Sequence, residues 1–98
     1  MSLLINFSIF PLDKGESVSQ YVARTVEIIK DSGLPYKLGA MGTSIEGEWD
    51  ELMAVVNRCL EAMRQDYSRV SLSLKADFRA GPGGRLKRKV ESVLEKLG

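Results

Sequence analysis

The chain contains no histidine and one cysteine, Cys59. Without an imidazole there is no histidine general base, no Ser–His or Cys–His nucleophile and no zinc cluster of the usual Cys/His kind. A lone thiol cannot form an internal disulfide, so a reducing, cytoplasmic setting is expected. An excess of one charge is also missing: 14 Lys and Arg against 13 Asp and Glu leave a net charge of +1, too small for a global field that would draw in nucleic acid or an anionic membrane. No apolar run approaches the ~18 residues of a membrane span, and the first residues carry no basic lead-in or cleavage signal. The expectation is a chain neither secreted nor inserted. Internal repeats and low-complexity linkers are absent as well, and 98 residues suit one domain spanning 1–98 with a modest core.

What is present is strong local patterning. Residues 3–10 alternate, with Leu3, Ile5, Phe7 and Ile9 on one side and Leu4, Asn6, Ser8 and Phe10 on the other, before Pro11 and the turn-like Asp13-Lys14-Gly15 end the strand. Ser17, with Gln20 three residues on, opens a helix by the capping-box pattern. Val18, Val22, Thr25, Val26 and Ile29 form its stripe, and Gly33 and Pro35 stop it. Two short strands follow, 36–41 and 43–47, joined tightly near Gly42. Glu48, Asp50 and Glu51 then place negative charge at the start of a second helix, where its dipole favours it. Trp49, Leu52, Met53, Val56, Leu60 and Met63 carry that helix to about residue 65. Residues 69–79 alternate almost without fault, Val70, Leu72, Leu74, Ala76 and Phe78 inward. A Gly/Pro turn leads into a last amphipathic stretch marked by Leu86, Val90, Val93, Leu94 and Leu97.

The order strand, helix, strand, strand, helix, strand, with an added C-terminal helix, specifies an α+β ferredoxin-like sandwich with antiparallel strand order 4-1-3-2. In that arrangement Ser44 and Glu46 share the helix-free face with Asn6, Ser8, Ser71, Ser73, Lys75 and Asp77. Glu46 and Asp77 fall ~10 Å apart across the central strand near Asn6. Small polar side chains leave this face flat. A second copy of the sheet, a ligand, or a ligand at the seam between copies is expected to cover it.

Pro11, the helix start Val18-Ser19-Gln20-Tyr21-Val22, Ser32-Gly33-Leu34-x-Tyr36-x-Leu38, Met41-Gly42-Thr43-x-Ile45-Glu46-Gly47-x-Trp49-Asp50, Asp77-x-Arg79 and Lys89-Val90-x-Ser92-Val93 together resemble the small thiamine-binding proteins. Ala76 departs from the pattern, which has a larger aliphatic residue there. The resemblance covers nearly the whole chain. It implies a ferredoxin-like subunit that assembles into dimers and tetramers through its sheets, and cytoplasmic binding of thiamine or its hydroxymethylpyrimidine moiety without catalysis or cofactor.

The residues can be matched to that chemistry. An aminopyrimidine offers a ring nitrogen and an exocyclic amine, which call for a carboxylate or amide and an apolar surface for the ring face. Glu46, Asp77 and Asn6 supply the polar groups, Thr43, Ser44 and Ser8 add hydroxyls, and Tyr36, Met41, Trp49 and Phe10 offer apolar walls. Arg79 could meet a phosphate on the vitamin. Plainer readings stand beside these. Thr43 and Gly47 also suit a hairpin and helix entry, Asp77 and Arg79 a solvated pair, and Trp49 a core stripe, which is the reading favoured for it. The competing class is a phosphate- or RNA-binding module built on the basic, glycine-rich segment 79–89. RNA-binding sheets of this topology stack bases on aromatic residues of the central strands, where this chain has mainly Asn6, Ser8, Ser44 and Glu46.

Overall fold

The computed structural model describes residues 2–12 and 19–80. The expected C-terminal helix, the Ser17 cap and the glycine-rich part of segment 79–89 lie outside them. The elements are β1 (Ser2–Pro11), α1 (Ser19–Asp31), β2 (Tyr36–Leu38), β3 (Thr43–Gly47), α2 (Trp49–Arg64) and β4 (Val70–Arg79). They form one antiparallel sheet in the order β2-β3-β1-β4, the expected order read from the other edge.

Alternation along β1 makes it the floor of the core. Leu3, Ile5, Phe7 and Ile9 are buried, and their cross-strand partners on β4 are Phe78, Ala76, Leu74 and Leu72. From α2, Leu52, Val55, Val56, Cys59 and Met63 complete the core with Ile45 of β3. The carboxylate of Glu51 accepts a hydrogen bond from the Glu48 N–H at 3.1 Å, which satisfies one orphan donor at the start of α2. At the end of α1, Gly33 takes φ +75°, a left-handed position that costs glycine little. The Ser32 hydroxyl donates to the Ile29 carbonyl and accepts from the Leu34 N–H, so the chain leaves the helix with its polar groups engaged. No described helix is long and apolar enough to cross a membrane.

Four expectations need correction. Leu72, Leu74 and Phe78 of β4 share the core side of the sheet with β1 but are exposed, because the buried core formed by the described helices lies over β1 and β3. The α1 stripe is rotated: Tyr21, Thr25 and Ile29 are buried, while Val22 is exposed and Val26 half-buried. A stripe of i, i+4, i+8 follows one ridge of the helix onto the sheet, and Val22 and Val26 turn toward a cleft beside it. Trp49 is 53% exposed rather than core, because it opens α2, before the helix settles its apolar ridge on the sheet. The second strand stops at Leu38, three residues before the expected end at Met41. Residues 39–42 form a loop in which the Gly39 N–H donates to the Gly42 carbonyl at 2.9 Å. A Cβ on Gly39 would sit 2.8 Å from that same carbonyl oxygen, so the loop closes only around a glycine.

Burial also decides the state of Cys59. The residue is fully buried, and desolvation pushes its thiol up from the ordinary 9.0 to about 11, against a smaller opposing effect of Arg58. The native thiol is therefore expected to resist a neutral-pH thiol reagent and to react once urea unfolds the chain; fast labelling without denaturant would contradict this. Since the unfolded thiol ionises first, stability should be intact below pH 9 and fall as pH rises toward about 11.

Candidate functional site

The strand register divides the sequence-derived candidates between two faces. On the face opposite α1 and α2, helix-free among the described residues, are Asn6, Ser8, Ser44, Glu46, Asp77 and Arg79, whose register positions all share one parity. On the helix face are Tyr36, opposite Ile45, and Thr43, opposite Phe7. Met41 is at the hairpin tip, 91% exposed, and Trp49 is at the start of α2. These ten residues therefore do not converge on one pocket.

The helix-free face has its own order. Leu4, rather than Asn6, lies between Glu46 and Asp77, and Asn6 lies between Ser44 and Lys75. The one-pair offset follows from the β1–β3 register, which pairs Ile5 with Ile45. The Asn6 side chain donates from Nδ2 to the Ser44 hydroxyl at 3.1 Å. Its Oδ1 lies 2.5 Å from where a Cβ on Gly42 would be, so the amide braces the hairpin. Glu46 is only 5% exposed, and both it and Asp77 engage polar partners. A buried carboxylate that engages a partner contributes to the fold, whatever else it meets. Glu46→Gln is accordingly expected to lower stability by about 1–3 kcal/mol, the cost of unbalancing a buried polar contact, and to leave affinity for a ligand on the helix side unchanged. Urea unfolding and calorimetry on one preparation would check this; an affinity loss at constant stability would return Glu46 to the binding surface.

The helix side holds the concavity. A cleft of about 660 Å³ lies between the second half of β1, one side of α1 and the β2–β3 hairpin, lined by Phe7–Phe10, Tyr21, Val22, Thr25, Val26 and Leu38–Thr43. Its size falls within the range of small-molecule sites. Every lining side chain among the described residues is uncharged. Of the sequence-derived candidates it gathers Ser8, Met41 and Thr43, with Phe10 beside them. Tyr21, Thr25, Val22 and Leu38 were not among them. Tyr21 is held by an edge-to-face contact with Tyr67, ring centroids 6.0 Å apart at 80°, which fixes one cleft wall. The Arg24–Asp66 ion pair ties α1 to the turn after α2 from the outside, and as an exposed pair it contributes little energy.

Thr25 is the anomaly in this wall. It is 9% exposed, and its Oγ1 is buried without a hydrogen-bond partner. A buried hydroxyl left unmatched costs on the order of 1–3 kcal/mol, and valine would fill the same space without that cost.

Comparison with known proteins places these features in a family. Residues 5–94 match the family model described as thiamine-binding protein. The UPF0045 protein Mb1933 of Mycobacterium bovis is 44% identical over 94 residues, covering 95% of this chain and 92% of the relative. The UPF0045 protein sll0230 of Synechocystis is 35% identical over 94 residues, covering 95% of this chain and 78% of the relative. Among solved structures, the protein MJ1052 of Methanocaldococcus jannaschii superimposes with a TM-score of 0.86 at 35% identity, covering 96% of this chain and 97% of that one.

Proposed function

Because the chain belongs to the thiamine-binding protein family, we propose that it binds thiamine or its hydroxymethylpyrimidine moiety, without catalysis, in the cleft between β1, α1 and the β2–β3 hairpin. The observation that carries this is the cleft itself, about 660 Å³ with aromatic and aliphatic walls and no charged side chain among the described residues. A neutral aminopyrimidine ring suits such walls: Phe7, Tyr21, Val22 and Leu38 offer surface to its faces. The hydroxyl of Thr43, with the backbone groups of Ser8 and of residues 39–42, is among the polar atoms of the described lining that can meet its edge nitrogens. The cationic thiazolium finds no carboxylate among the described lining residues and belongs at the mouth, in water, beside the exposed Met41.

In the same reading the protein works in the cytoplasm as a homo-oligomer, a dimer or tetramer built on the helix-free face. Glu46, Asp77 and Asn6 then organise that face, and Ser44, Lys75 and Arg79 share it. Cross-linking at low protein concentration tests this part, and a persistent monomer would remove it.

Isothermal titration with thiamine, thiamine diphosphate and hydroxymethylpyrimidine tests the binding. Heat and thermal stabilisation are expected with the pyrimidine and with thiamine; silence with all three would end the proposal. A salt-dependent interaction with single-stranded RNA in place of these would favour the competing class.

A further inference from the structure

We propose that Thr25 is the specificity-determining residue of the cleft, turning its hydroxyl onto a nitrogen of an uncharged, planar N-heterocycle. The inference rests on the reading of the cleft as the ligand site and goes beyond it by naming the group that selects the ligand's chemistry.

Packing does not explain a threonine here. Its Oγ1 is buried and unpartnered inside the cleft wall, and the residue is more than nine-tenths buried. Threonine on a helix populates two χ1 rotamers, unlike valine, which is held in one. Rotation about that single bond turns Oγ1 to a different direction with no change in the backbone of α1, in a residue that lines the cleft. The neighbours set what it can meet there. Tyr21, Val22 and Val26 on the same helix and Phe7 and Leu38 across the cleft carry no charge. A phosphate or carboxylate brought against Thr25 would meet no cation among the described lining residues to offset its desolvation. A neutral heterocycle loses little on entering and supplies both a ring-nitrogen acceptor and an amine donor, either of which a hydroxyl can match. A site built to hydrogen-bond one group also rejects analogues that lack it.

The test is titration calorimetry with hydroxymethylpyrimidine and with thiamine on the wild-type protein, Thr25→Val and Thr25→Ser, with ligand-free melting curves of all three. Thr25→Val should lose about tenfold in affinity for both probes, the loss of one hydrogen bond, while its ligand-free melting temperature stays level or rises. Thr25→Ser should bind within about threefold of wild type, since it keeps the hydroxyl. Wild-type affinity should be the same at low and high salt. Wild-type binding left intact by Thr25→Val, an equal loss in both variants, or a steep salt dependence overturns the assignment to Thr25 alone. Failure of the wild-type protein to bind either probe overturns the cleft reading and this inference with it.

Discussion

Phe7→Ala is expected to destabilise the protein by about 3–5 kcal/mol, the cost of deleting a large buried side chain and leaving a cavity. Phe7 is 2% exposed, belongs to the core cluster and is paired on both sides, with Thr43 of β3 and Leu74 of β4. Its ring also lines the cleft, so the void it leaves would merge with the existing concavity. Small domains have on the order of 5–15 kcal/mol in total, and for a chain of this size 1 kcal/mol corresponds to roughly 4–8 °C. The melting temperature should therefore drop by more than about 12 °C. Urea titration with an unchanged slope would show that stability, rather than the compactness of either state, has moved. A drop of only a few degrees would mean that Phe7 is not central to the core.

Val22→Trp is expected to abolish ligand binding while leaving the fold intact. Val22 lies on the wall of the cleft and is 46% exposed, so the helix backbone accommodates a larger residue without repacking the core. An indole there occupies space the ligand needs. The affinity loss should be at least about 100-fold, equivalent to ~2.7 kcal/mol, with a stability change near the ±0.5 kcal/mol usual for surface substitutions. Calorimetry against hydroxymethylpyrimidine and a melting curve separate the two effects. Undiminished binding would place the ligand elsewhere, and the helix-free face would be the next surface to test.

The two outcomes also show which properties the sequence made readable. Alternation over residues 3–10 reflects burial on one side of β1, a local constraint written into every second residue, and the same period over 69–79 gave the existence and faces of β4 although Leu72, Leu74 and Phe78 stay exposed. The strand order followed from element order alone. The cleft was not readable in this way because it depends on the rotation of α1 and on where β3 begins relative to β1. Both are outcomes of packing between distant segments. One signal did exist: a hydroxyl, Thr25, in an otherwise aliphatic stripe. Trp49 was misread for the opposite reason. Periodicity includes the first residue of a helix in its stripe, but at that position no preceding turn fixes the side chain toward the sheet.

The pairing of the strands carries a last consequence. β1 pairs with β4 along all ten of its residues but with β3 along only five, Leu3 to Phe7. Among the described residues β1 has one neighbour fewer from Ser8 onward, and the cleft lies beside that stretch. Extending β3 backwards by a few residues would complete the ladder, cover more apolar surface and raise the melting temperature. It would also leave nowhere for a ligand. Selection for stability alone, in a laboratory or a hot environment, would thus press toward sealing this gap, at the expense of the space in which the proposed ligand fits.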